Sequence, residues 1–96
     1  MGRPRVLLVD DSPEFLKMAT RFLATDPGID LVGVARTGQD ALALATTLRP
    51  GLVLMDLIMP HMNGLDATRQ IKAIPNAPIV VILTGHDTPE YRSEAV

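Results

Sequence analysis

The stretch that decides the fold lies at residues 6–13, which read VLLVDDSP. Its first four residues are valine and leucine, a pattern that predicts a strand buried on both faces. Ser12 followed by Pro13 predicts the start of a helix, because serine caps free N–H groups and proline suits the first helical position. The adjacent carboxylates of Asp10 and Asp11 therefore stand where a buried strand meets a helix.

Short apolar segments of the same kind recur along the chain, separated by segments with helical spacing. The predicted strands are Val6–Val9, Leu31–Ala35, Leu52–Met55 and Ile79–Leu83. Strict alternation of strands and helices predicts an α/β fold, a doubly wound parallel sheet with right-handed crossovers and helices on both faces.

Three helices are predicted between these strands, and a fourth is predicted to begin at Thr88 and Pro89. The first follows Ser12, the second follows Thr37, and the third runs from about Gly64 to Ile74. The residues expected to face the core in the first helix are Phe15, Leu16, Ala19, Phe22 and Leu23. Those expected in the second are Ala41, Leu42, Ala45 and Leu48, and those in the third are Leu65, Thr68, Ile71 and Ile74.

The composition limits the classes of function. A chain of 96 residues, 47% hydrophobic and 21% charged, is typical of one globular domain. The net charge is −2 without any run of lysine or arginine, which argues against a nucleic-acid surface. No apolar run approaches the roughly 20 residues of a membrane-spanning helix, and no secretory signal is evident. We therefore expect a cytoplasmic protein.

Acidic residues and a hydroxyl follow three of the four predicted strands. Asp10 and Asp11 follow the first, Asp56 the third and Thr84 the fourth. Strands of a parallel sheet bring their carboxyl ends to one edge, where ligands bind. Clustered carboxylates repel one another unless a cation, a shared proton or a lysine intervenes, and an all-oxygen set favours Mg²⁺. The pattern thus suggests a magnesium site at which one aspartate could accept a phosphoryl group.

Three motifs carry a resemblance to a known family: VLLVDDSP, VLMDLIMPHMNGLDATRQIK and PIVVILTGHD. In this order and spacing they resemble the receiver domain of two-component response regulators, and the likeness spans essentially the whole chain. It implies a flavodoxin-like receiver fold over residues 1–96. It also implies a histidine kinase as the phosphoryl donor.

The resemblance implies a role for each residue of the predicted site. Asp56 would be the phosphoacceptor. Mg²⁺ would be bound by Asp11, Asp56 and the backbone carbonyl of Ile58, with Asp10 assisting through a bridging water. Thr84 would hydrogen-bond the phosphoryl group and shift on activation. The domain would then be a regulatory module rather than an enzyme.

One departure from the family pattern concerns the C-terminal end. Receivers have five strands and five helices, and a lysine after the fifth strand pairs with the phosphoryl group. Neither Lys17 nor Lys72 matches that position, since both lie in predicted helices. We therefore expect strand order 2-1-3-4, with strand 5 and helix 5 missing. Such a chain is either a fragment of a longer regulator, which we favour, or a naturally shortened receiver. The fourth strand would then be an edge, exposed to dimerisation or strand exchange.

Three hypotheses for function remain at this level. The first is a phosphorylation switch whose output is transcription, because the segment DLVGVARTGQDALAL is similar to receivers that precede a DNA-binding domain. The second is an interaction or dimerisation module that works without phosphorylation. The third is a magnesium-dependent phosphohydrolase, which is disfavoured because such enzymes commonly place a second acid where this chain has Ile58.

Overall fold

We analysed a computed structural model of the chain, which describes residues 2–56, 58–59 and 62–83, with side chains at 2–55 and 65–82. Its elements in chain order are β1 Arg5–Val9, α1 Pro13–Ala24, β2 Asp30–Ala35, α2 Gly38–Leu48, β3 Leu52–Asp56, β4 Ile58–Met59, β5 Met62–Asn63, α3 Gly64–Lys72 and β6 Ile79–Leu83. The helix predicted to begin at Thr88 and Pro89 lies outside the described residues.

Four parallel strands form the main sheet in the order β2-β1-β3-β6. Since β6 is the fourth strand expected from the sequence, the predicted order 2-1-3-4 and the doubly wound topology are confirmed. The central strand, β1, pairs with β2 on one side and with β3 on the other. The first strand of the chain is therefore a central one, and its carboxyl end lies between β2 and β3.

The described helices lie on both faces of the sheet. The larger core sits on the face covered by α2 and α3, and its buried members are Leu7, Val9, Ala35, Ala41, Ala45, Val53, Met55, Ala67 and Ile71. On the opposite face, α1 lies beside Leu8 and Leu54 along an apolar groove of about 330 Å³. The alternation of side chains along β1 and β3 separates the two cores.

Two helices begin where side-chain caps were predicted. The Ser12 hydroxyl accepts a hydrogen bond from the Phe15 N–H at 3.2 Å, and the Thr37 hydroxyl accepts one from the Asp40 N–H at 3.0 Å. Each cap satisfies an N–H group that has no partner within its helix. The caps fix where the loops after β1 and β2 end.

Two apolar residues predicted to face the core are exposed instead. Phe22 is 75% exposed and Leu65 is 56% exposed. In α1 the buried stripe is narrower than predicted and centres on Leu16. In α3 the buried positions are Ala67 and Ile71, so the inward face is turned away from Leu65. A small alanine, rather than the leucine, lets this helix approach the sheet.

The prediction of strands buried on both faces is correct for β1 but wrong for β2 and β6. The inward positions of these outer strands contact the core, whereas Ile79 of β6 is 70% exposed and Val81 is 39% exposed. Among the described residues, no strand pairs with β6 on the side away from β3. The expected pairing of this edge with a second chain stays a prediction.

A short hairpin between β3 and α3 was not predicted. Strands β4 and β5 are antiparallel, with Ile58 opposite Asn63 and Met59 opposite Met62. The two strands are two residues long, too short to show alternation in a sequence.

Within the described part of the chain, no helix is long and apolar enough to cross a membrane.

Candidate functional site at the carboxyl edge of the sheet

Asp10 is held rigidly at the end of the central strand. Its N–H donates a hydrogen bond to the Ala35 carbonyl at 3.0 Å, which extends the pairing of β1 with β2 by one residue. Its carboxylate oxygen Oδ1 accepts a hydrogen bond from the Ser12 N–H at 2.8 Å. The residue is 7% exposed, and it is the single buried polar residue among the described side chains. The strand end thus presents a carboxylate whose position is fixed from both sides.

Asp11 lies in the turn between Asp10 and the cap of α1. It is half-buried, in contrast to the more deeply buried Asp10. Ser12 has two roles here, since its N–H donates a hydrogen bond to Asp10 and its hydroxyl caps the helix. The predicted pair of carboxylates is therefore brought to the carboxyl edge, with different degrees of access to solvent.

Asp56 ends β3, next to the carboxyl end of β1. Val9 and Met55 are register partners across β1 and β3, so the residues that follow them, Asp10 and Asp56, reach the same level of the sheet. On its other side Asp56 is paired with Leu83 of β6. The register therefore brings Asp56 to the edge that was predicted for it, although its side chain lies outside the description.

Two further predicted site residues are less completely described. Thr84 follows Leu83 directly in the chain and lies outside the described residues. Ile58, whose backbone carbonyl was expected to bind Mg²⁺, begins β4 two residues after Asp56 and pairs with Asn63. The hairpin thus begins two residues after Asp56, the predicted phosphoacceptor.

A polar contact behind Asp56 was missed by sequence reasoning. The Thr68 hydroxyl donates a hydrogen bond to the Met55 sulfur at 3.6 Å, which links α3 to the residue before Asp56. The two residues had been interpreted only as packing residues. Strand alternation and helical spacing indicate that both face the core, but neither pattern shows that they meet.

The oxygen chemistry of this edge suits a hard divalent cation. Buried Asp10 and half-buried Asp11 supply carboxylates, and Mg²⁺ in proteins is commonly bound through one or two carboxylates together with waters and phosphate oxygens. Among the described side chains, which exclude that of Asp56, no three acidic or histidine residues form a metal-binding group. The third carboxylate would come from Asp56, whose backbone the sheet register brings level with Asp10.

The sequence matches a family described as "Response regulator receiver domain" over residues 6–96. The chain belongs to the response regulator receiver domain family. The family assignment, the strand order and the acidic pair at the end of β1 agree with one another. The resemblance inferred from the three motifs is therefore confirmed.

Similar proteins of known sequence include protein-glutamate methylesterases. The chain is 44% identical over 80 residues to protein-glutamate methylesterase/protein-glutamine glutaminase 4 of Myxococcus xanthus (strain DK1622), a match that covers 83% of this chain and 23% of that protein. The chain spans about a quarter of the length of the first curated relatives it matches. These matches therefore concern the receiver portion of longer proteins.

Similar solved structures are also receivers. A LuxR-family two-component response regulator from Aurantimonas sp. SI85-9A1 has a TM-score of 0.82 and 31% identity, covering 98% of this chain and 67% of that chain. The response regulator domain of Thermotoga maritima CheB has a TM-score of 0.74 and 31% identity, covering 98% and 71%. The receiver fold is thus shared with proteins of more than one regulatory class.

Proposed function

We propose that this domain is a phosphorylation switch in which Asp56 accepts a phosphoryl group from a histidine kinase. The observation that carries the proposal is the register of β1 and β3, which puts buried Asp10 level with Asp56 at the carboxyl edge of adjacent strands. In the transfer, a carboxylate oxygen of Asp56 attacks phosphorus and the P–N bond of the phosphohistidine breaks. The electron pair of that bond stays on the imidazole nitrogen.

The acidic residues around Asp56 suit a bound Mg²⁺. Asp10, Asp11, Asp56 and the Ile58 carbonyl would hold the cation, which would neutralise charge on the phosphoryl oxygens. The position of the Asp10 carboxylate supports this role, because the hydrogen bond from the Ser12 N–H orients it toward the turn after β1. Thr84, one residue after the β6 partner of Asp56, would hydrogen-bond the phosphoryl group and shift when it is present.

A direct test is to expose the chain to Mg²⁺ and beryllofluoride, which mimics an acyl phosphate. Saturable binding is expected in the unmodified chain and its loss is expected in Asp56→Asn, because the amide cannot form the same bond to beryllium. Asp66→Asn is a suitable control, since Asp66 lies on the exposed surface of α3 beside Arg69. Equal binding by the Asp56→Asn chain would contradict the proposal.

We propose that the switch controls an effector whose activity is either methylesterase or DNA binding. The curated relatives named as protein-glutamate methylesterases favour the former. DNA binding, which was expected from the sequence, is the alternative, and the similarity to the LuxR-family response regulator supports it. The full open reading frame distinguishes them, because each effector has its own sequence signature. The receiver itself would regulate rather than catalyse turnover.

A second candidate function is assembly that does not require phosphorylation. The exposed apolar residues Ile79 and Val81 on β6 favour it. Within the described ranges no strand pairs with the outer edge of β6, and an unpaired edge can pair with another chain. Val81→Lys is expected to shift the 96-residue polypeptide toward monomer, measured by analytical ultracentrifugation. Glu14→Lys is the control, because it also introduces a lysine, at an exposed position of α1 away from β6. A dimer unchanged by Val81→Lys, or a wild-type monomer, would rule this assembly out.

A further inference from the structure

An arginine stands at the carboxyl edge of the sheet, next to the acidic pair. Arg36 follows Ala35, the last residue of β2, and the Asp10 N–H donates a hydrogen bond to the Ala35 carbonyl at 3.0 Å. Val9 and Ala35 are register partners, so the residues after them, Asp10 and Arg36, reach the same level on adjacent strands. The edge that gathers the proposed Mg²⁺ ligands therefore also carries a positive charge.

The backbone on both sides of Arg36 is held in place. Before it, the Ala35 carbonyl accepts the hydrogen bond from the Asp10 N–H. After it, the Thr37 hydroxyl accepts a hydrogen bond from the Asp40 N–H at 3.0 Å and caps α2. Arg36 is thus a one-residue connection between β2 and this cap, and the length of its own side chain limits how far its charge can move from the strand end.

No described carboxylate forms an ion pair with Arg36. The residue is exposed, and the one ion pair among the described side chains joins Arg69 to Asp66. Such a charge acts over a distance set by salt, about 10 Å at 0.1 M ionic strength. Adjacent strands lie about 4.8 Å apart, so the backbone of Arg36 is roughly 5 Å from that of Asp10 and roughly 10 Å from that of Asp56. Arg36 is therefore close enough to influence ligands at the acidic edge.

The two proposed ligands of this edge have opposite charges. A nearby guanidinium repels Mg²⁺, whereas it attracts a phosphoryl group. Arginine is always charged, so this bias is present at every working pH.

We propose that Arg36 is a selectivity residue of the acidic edge, whose charge weakens Mg²⁺ binding and strengthens binding of the phosphoryl anion. This inference rests on the proposed function, because it concerns the ligands of that same site. Arg36 acts through space and requires no contact with either ligand. Removing its charge should therefore move the two affinities in opposite directions, which a change in folding or packing would not do.

A charge series at residue 36 tests the inference. The dissociation constants of Mg²⁺, and of beryllofluoride at saturating Mg²⁺, are measured by isothermal titration calorimetry in the unmodified chain, Arg36→Gln and Arg36→Glu. Coulomb's law at about 10 Å, screened at roughly 0.1 M salt, predicts that each unit of positive charge removed tightens Mg²⁺ binding about two-fold. Beryllofluoride binding should weaken about 1.5-fold per step, because this anion carries a single charge. Both trends should vanish at roughly 1 M sodium chloride, where the screening length is about 3 Å.

Two controls separate charge from structure. Arg36→Lys keeps the positive charge and should leave both affinities unchanged. Arg49→Gln and Arg49→Glu repeat the charge series at an exposed residue after α2, before β3 begins at Leu52. That position is at the opposite edge of the sheet, separated from the acidic residues by a five-residue strand, roughly 16 Å long. Screening over this distance should leave the Arg49 variants with the affinities of the unmodified chain.

The outcomes separate the inference from the proposed function. If the unmodified chain binds Mg²⁺ and Asp56→Asn reduces that binding, opposite trends confined to the Arg36 series support the inference. Trends of the same sign, no trend, an equal trend in the Arg49 series, or altered affinities in Arg36→Lys would show that this inference alone is wrong. If the unmodified chain does not bind Mg²⁺, or if Asp56→Asn binds equally well, the proposed function is wrong and this inference with it.

Discussion

At the scale of single residues, Asp10 does two separable jobs. Its oxygen accepts the Ser12 N–H at 2.8 Å and so shapes the turn into α1, while its charge contributes to the acidic edge. Such a buried carboxylate is costly unless it is hydrogen-bonded or paired with a cation. The same side chain therefore links the local structure of the turn with the proposed affinity for Mg²⁺.

Two substitutions at Asp10 separate these jobs. Asp10→Asn keeps an oxygen for the Ser12 N–H, so unfolding stability should stay within about 1 kcal/mol of the unmodified chain while Mg²⁺ affinity falls. Asp10→Ala leaves that N–H without its partner and should cost roughly 1–3 kcal/mol in addition. Urea unfolding without Mg²⁺ and calorimetric titration with it measure the two effects. Equal Mg²⁺ affinity in Asp10→Asn would remove Asp10 from the site.

At the scale of elements, α1 shows which features of a helix can be predicted from its sequence pattern. Ser12 and Pro13 located its start correctly, because capping is a local property that sequence reports directly. The same pattern assigned Phe22 to the core, yet this residue is 75% exposed. The spacing of apolar residues identifies the apolar face of a helix. How much of that face is buried depends on the elements that pack against it.

The contrast within α1 gives a paired prediction. Leu16→Ala should cost about 2–5 kcal/mol of unfolding free energy, because the side chain is buried and its removal leaves a cavity. Phe22→Ala should change stability by no more than about 0.5 kcal/mol, because the ring is largely exposed. Urea unfolding of the two variants tests the pair. A cost at Phe22 equal to that at Leu16 would mean that the ring is covered in solution.

The fold and the acidic edge were predictable for different reasons. Strand order followed from alternation and the family resemblance, and the acidic edge followed because parallel strands share one carboxyl end. The β4–β5 hairpin and the contact of Thr68 with Met55 were not predictable. Two-residue strands carry no periodic signal, and a contact between side chains 13 positions apart depends on how far α3 turns about its axis.

At the scale of the whole molecule, the proposed cation site would make stability depend on Mg²⁺. If Asp10, Asp11 and Asp56 share that site, their like charges would oppose folding until a cation neutralises them. A ligand that binds only the folded chain adds about 2.7 kcal/mol when its concentration is 100 times its dissociation constant. Magnesium is therefore expected to act as a structural ligand as well as a cofactor.

Thermal unfolding tests this dependence. Saturating Mg²⁺ should raise the Tm of the unmodified chain by several degrees, whereas Asp56→Asn should gain less because one carboxylate is gone. Without Mg²⁺ the same substitution should leave the Tm equal or higher, since it relieves repulsion. Sodium chloride at matched ionic strength controls for screening. A Tm that rises equally in both chains would exclude Asp56 from the cation site.

The central position of β1 also affects how the chain acquires its structure during synthesis. Val6 of β1 pairs with Leu31 of β2 on one side and with Leu52 of β3 on the other. The ribosome therefore synthesises β3, the second neighbour, long after β1. At translation rates of about 5–20 residues per second, that delay lasts a few seconds. During this interval the VLLV segment, later the most buried strand of the sheet, keeps one edge unpaired. The same residues that specify the fold are thus the ones that a nascent chain must protect longest.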